Sequence, residues 1–106
     1  MSKSPTITDD DELLHNPHAG DILASEFMEP LALSAEALAA ALQVPAASVE
    51  GMITGSTAVD GELDLRLGRY FGMSEGFFLR LQNAYDLEEA KRMRGDAIER
   101  ITRRAA

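Results

Sequence analysis

The stretch ALAAALQVPAASVEGMITGS, residues 37 to 56, decides the fold. Its first part is alanine-rich, and Leu38 and Leu42 stand i, i+4, the spacing that puts two side chains on one helical face. Ser34, just upstream, belongs to the residue types that cap a helix by accepting from its first free backbone N–H groups. Gln43 and Val44 lead to Pro45, whose fixed φ suits a helix start. A second helix follows with Val49, Met52 and Ile53, and Gly55 supplies its stop. Two short helices about three residues apart have the spacing of a helix-turn-helix.

Working outward, the segment HNPHAGDILASEFMEP (residues 15 to 30) predicts a preceding helix. Asn16 is the expected N-cap, Pro17 the first helical residue, Ile22, Leu23 and Phe27 an apolar stripe, and Pro30 the stop. Downstream, Asp60 caps a helix over DGELDLRLGRYFG with Leu63, Leu67, Tyr70 and Phe71 inward and Gly72 as its end. Ser74 is the expected cap of another, SEGFFLRLQNAYD, whose aromatic residues bring bulk that alanine-rich helices lack. The last stretch, LEEAKRMRGDAIERITRR, mixes Leu87, Ala90, Ile98 and Ile101 with charges and reads as an exposed helix interrupted at Gly95. No segment alternates with the period of a strand. The expectation is an all-α domain of five or six helices over residues 15 to 94, with a flexible acidic arm at 1 to 14 and a helical tail at 95 to 106. Its core is predicted to contain Leu23, Phe27, Leu38, Leu42, Val49, Ile53, Leu67, Phe71, Phe78 and Leu81.

A chain of 106 residues with 45% hydrophobic content suits one domain. There is no cysteine, so disulfides and thiolate chemistry are excluded. No apolar run of about 18 residues and no basic-then-apolar leader occurs, which points to a cytoplasmic protein rather than a membrane or secreted one. No Ser/His/Asp set, phosphate-cradling glycine loop or paired acids can be assembled, so neither an enzyme nor a cofactor is expected. His15 and His18 raise a metal site, but the start of the first helix accounts for them.

The net charge of −8 is unevenly spread. Residues 1 to 65 hold twelve acids against Lys3 alone, a balance of −11, and residues 66 to 106 carry +3. An acidic half repels phosphate and attracts a basic partner.

The order of pieces HNPHAGDILASEFMEPLALS (15 to 34), ALAAALQVP (37 to 45), LRLGRYFG (65 to 72) and FFLRLQNAYDLEEAK (77 to 91) resembles the HigA/VapI-type antitoxins, an XRE-like family of small helix-turn-helix proteins encoded beside a ribosome-dependent RNase toxin. The resemblance implies a lambda-repressor-like fold, a homodimer, a cognate basic toxin as partner, operator DNA as ligand and repression of the protein's own operon. It puts the DNA-contact surface at Ser34, Ala46, Ala47, Ser48, Glu50, Gly51, Thr54, Ser56 and Thr57. The departures fall on that same surface. Arginine or lysine is common in the family at the positions of Ala46, Ser48, Thr54, Ser56 and Thr57, and glutamine and lysine at those of Ala35 and Ala40. Gln43 stands where the turn glycine is found, and Glu50 where a polar amide is. The functional reading of this face is a weakened DNA-contact surface; the plainer one is a solvated helix face. Phosphate contact is then expected from Arg66, Arg69 or the tail arginines Arg100, Arg103 and Arg104. For Arg66, an i, i+4 ion pair with Glu62 is the competing structural role. The second functional reading keeps the fold as a protein-binding antitoxin with weak or no DNA binding. Dimerisation is expected through the fifth helix and tail, where Phe77, Tyr85, Leu87, Ile98 and Ile101 offer apolar surface.

Overall fold

The computed structural model describes residues 16 to 105, and the acidic arm and His15 lie outside the described residues. The regular elements among the described residues are all helices, with no strand among them. Helix α1 starts at Ala19–Ile22, continues as a π-helical stretch over Leu23–Met28 and closes in a 3-10 turn, Glu29–Leu31. Then come α2 (Ala35–Leu42), α3 (Ala46–Thr54), α4 (Gly61–Phe71) and the long α5 (Phe77–Glu99). Helices α2 and α3 are the helix-turn-helix pair.

The start of α1 differs from the sequence expectation. Its N-cap is His18, whose Nδ1 accepts from the Gly20 and Asp21 amides at 3.0 and 3.3 Å. Asp21 returns the bond by accepting from the His18 amide, which completes a capping box with histidine in the serine role. Asn16 instead reaches across the molecule and donates to the Tyr85 carbonyl and the Glu89 carboxylate of α5. Pro30 has no N–H to give to the carbonyl four residues back, so a regular helix cannot run through it. The chain accommodates this by widening beforehand: the Glu29 amide donates to Ala24, five residues back. Met28 joins Leu23 in the buried core. A stripe with a period of 3.6 does not include Met28, which is why sequence periodicity missed it.

Two helices end on residues in the left-handed region that carry side chains. Ala32 (φ 52°) turns the chain into Leu33, and Gln43 (φ 62°) ends α2 with its amide bonded to Ala39 and Ala40. Gln43 takes the left-handed conformation that the turn requires, at a cost of roughly 1–2 kcal/mol that glycine would not incur. Gly55 and Gly72 end α3 and α4 in the same conformation, as their positions predicted.

The core gathers Leu23, Leu38, Leu42, Val49, Leu67 and Phe78, all buried as expected, around Ala19, Ala39, Met52, Val59 and Leu63. Phe27, Ile53, Phe71 and Leu81 pack on it from its edge. Phe27 sits in an aromatic cluster, its ring centroid 5.0 Å from Phe71 and 5.3 Å from Phe78.

The start of α5 is a second correction. Ser74 does not cap it; the cap residue is Gly76, with no side chain to offer. The capping acceptor comes from another helix. Asp64, buried to 1% exposure inside α4, accepts from the amides of Gly76, Phe78 and Leu79 at 2.6, 2.8 and 3.0 Å. A buried carboxylate at a helix N-terminus is stabilised both by its hydrogen bonds and by the helix dipole. From there α5 runs without a break through Gly95 to Glu99.

Two stability changes follow. Asp64→Ala leaves several buried N–H groups without acceptors and should lower unfolding free energy by about 2–4 kcal/mol in urea titrations. Gln43→Gly should raise it by about 1 kcal/mol, read as a higher midpoint at unchanged m-value.

Candidate nucleic-acid interface

Helix α3 buries Val49 and Met52 and turns the opposite side outward. Ala47, Glu50 and Thr54, at i, i+3 and i+7, form its exposed stripe, extended by Ser56 and Thr57 beyond its end; Ala46, Ser48 and Gly51 are half-buried beside them. Ser34, exposed at the start of α2, is held by its bond from the Ala37 amide. The residues singled out on α3 and after it therefore share one face or its margin.

The last turn of α3 is internally bonded. The Gly51 carbonyl accepts from the Thr57 amide at 3.1 Å, from the Thr54 hydroxyl at 3.2 Å and from the Ser56 hydroxyl at 3.4 Å. Thr54 and Ser56 also lie 3.1 Å apart, Oγ1 to Oγ. The two hydroxyls are thus engaged with the Gly51 carbonyl and with each other. This also explains Gly51. A Cβ there would lie 2.6 Å from Thr57 Oγ1, so the glycine makes room for the chain's own loop.

Packing fixes the helix from behind. A Cβ on Gly20 would run into the Met52 carbonyl, so α1 approaches α3 backbone to backbone. The His18 ring touches Gly55 on one side and stacks edge-on against Tyr85 of α5, centroids 5.7 Å apart. One capping histidine thus joins the start of α1, the end of α3 and the middle of α5.

The charges follow the sequence balance. No lysine or arginine lies between Lys3 and Arg66, and the face carries Glu50, with Asp60 and Glu62 nearby on α4. Arg66 is not free to reach outward. Its guanidinium donates to the Leu42 carbonyl at 2.8 Å, closing the end of α2, and forms a two-pronged contact with Glu62 at 3.1 and 2.9 Å. The competing structural role is the one realised. Arg69 lines a groove of about 590 Å³ with Ala41, Gln43, Leu65 and Tyr70, at the end of α2 opposite Ser34. Arg66 is thus engaged within the fold, while Arg69 is exposed.

Helices α2 and α3, joined by a three-residue turn inside a small all-helical domain, make this a helix-turn-helix protein of the lambda-repressor-like class. Over 74 residues, 70% of this chain and 68% of the relative, it is 39% identical to virulence-associated protein I of Dichelobacter nodosus. It is 31% identical over 72 residues, 68% of each chain, to antitoxin HigA-1 of Vibrio cholerae. Among solved structures, the Pseudomonas aeruginosa antitoxin HigA with its higBA promoter matches at a TM-score of 0.79 and 34% identity, over 87% of this chain and 100% of that one. No protein-family model matches. The chain belongs to the HigA/VapI-type antitoxins, a family of helix-turn-helix proteins.

Because Arg66 serves the α2 terminus, Arg66→Ala should cost about 1–2 kcal/mol of stability, discounted for partial exposure. The salt dependence of any DNA binding should change little, since the guanidinium is engaged by Leu42 and Glu62. Paired urea and salt titrations of wild type and variant check both halves.

Proposed function

We propose that this chain is the antitoxin of a two-protein module, neutralising a basic RNase toxin and acting as a helix-turn-helix regulator of its own operon. It works as a cytoplasmic homodimer without enzymatic activity. The observation that carries this is the exposed stripe Ala47, Glu50 and Thr54 on α3, held in a fold matching a solved HigA that carries its promoter. Operator recognition by this class uses two half-sites about one helical turn apart, which a dimer supplies. The apolar surface for dimerisation comes from Leu87, Met93, Ile98 and Ile101 on and just past α5, all exposed. Phe77 and Tyr85 are half-buried beside it, Phe77 against Phe27 and Tyr85 against His18.

The charge distribution favours a second reading, in which the fold is kept chiefly to bind protein and DNA affinity is weak or lost. A protein making about 6 to 10 phosphate contacts draws several powers of ten of its low-salt affinity from counterion release. This face has no cation to release them. Toxin neutralisation needs no phosphate contact, so it survives in both readings.

The two readings separate in one titration of the purified protein against its own promoter fragment and a scrambled one, at about 50 and 150 mM salt. The expected outcome is a preference for the promoter, weak affinity and a shallow salt slope. Nanomolar, promoter-specific binding at the higher salt overturns the weak-affinity reading. Equal binding to both fragments overturns regulation and leaves the protein-binding antitoxin.

A further inference from the structure

The outward stripe of α3 offers a base edge an unusual set of groups. Ala47 presents a methyl, and Glu50, exposed three residues on, presents a carboxylate that can only accept. The Thr54 and Ser56 hydroxyls are engaged with the Gly51 carbonyl and with each other, which leaves the Glu50 carboxylate as the free group of the stripe. Among the described residues before Arg66 there is no cationic donor, the type that reads the O6 and N7 acceptors of guanine. A carboxylate recognises donors, and in the major groove the only donors are the amino groups of cytosine and adenine. Cytosine shows its N4 amino group with no acceptor on the same base, whereas adenine places N7 beside N6. A carboxylate facing adenine meets that lone pair, so cytosine is the better partner.

From this we infer that Glu50 is the specificity-determining residue of the recognition helix and takes the N4 amino group of a cytosine in each half-site. The inference rests on the DNA-binding reading proposed above and names what that same face selects. Glu50 suits the role because nothing within the protein occupies it. No hydrogen bond or ion pair of its carboxylate is found among the described residues, in contrast to Glu62, which is held by Arg66. It sits one turn before Thr54 and one turn after Ala47, in the middle of the stripe. The low non-specific affinity expected of a cation-free face sharpens this selection, since little binding energy is independent of sequence.

The test is selection of half-sites from a randomised duplex pool by the full chain, with wild type, Glu50→Gln and Glu50→Ala compared at about 50 mM salt. Wild type should favour cytosine at one position of the half-site by about 5- to 150-fold over the other bases. Glu50→Ala should lose that preference. Glu50→Gln should move it to adenine, whose N6 and N7 suit an amide. A residue with a merely structural role would not change which base is selected. If all three proteins enrich the same sequence, or wild type selects guanine or thymine there, the assignment of Glu50 falls while DNA binding stands. If wild type enriches nothing above the starting pool, regulation by DNA binding falls, and the Glu50 assignment with it.

Discussion

A carboxylate buried at the junction of two helices organises the second half of this molecule. Asp64 lies inside α4 yet supplies the acceptors that the first turn of α5 lacks, because Gly76 has no side chain to cap with. Burying a charge is tolerated only where hydrogen bonds replace its water. Here three backbone amides do so, and the dipole of a 23-residue helix adds to them. The bond set fixes where α5 begins and how it leaves the domain. Phe78, whose amide is one of the three donors, is thereby set into the core, and Leu87, Met93 and Ile98 are carried out to solvent along the same helix.

The recognition helix is held with equal care but by different means. Gly20 allows α1 to lie directly on the Met52 carbonyl, and His18 joins α1, the end of α3 and α5 through its cap and its ring contacts. Arg66 closes the α2 terminus at the other side of the turn. The helix-turn-helix is thus rigidly built although its outer face holds no positive charge. Cations that other helix-turn-helix proteins spend on phosphate are here absent from α3, and on α4 one of them is used inside the fold. Geometry without electrostatic grip separates specificity from affinity: base-edge contacts remain possible while the sequence-independent term is small.

Much of this was legible in the chain. The helix count, the three-residue turn, the stops at Gly55 and Gly72, the Asp60 cap and six buried core positions follow from periodicity and capping chemistry, both of which are local. Family resemblance located the exposed stripe. Local reasoning failed where a partner was distant in sequence. Asn16 looked like a cap and instead bonds to α5, 69 residues away. Ser74 looked like a cap and gave way to Asp64, whose place one turn into α4 marks it only as an acid among acids. Phe77 and Tyr85, read as apolar surface, are half-buried against Phe27 and His18.

By itself, then, the sequence determined the class of fold, the position of the helix-turn-helix and the charge of its face, because apolar spacing, turn residues and charge counts are properties of short stretches of chain. Only the tertiary structure decided which polar groups remain free to act. Whether Arg66 meets solvent or a carbonyl, whether the hydroxyls of Thr54 and Ser56 point outward or onto Gly51, and whether Gly51 faces solvent or Thr57 all depend on what the fold brings within about 3 Å. A hydrogen bond has that short reach, so its partner is settled by packing rather than by composition.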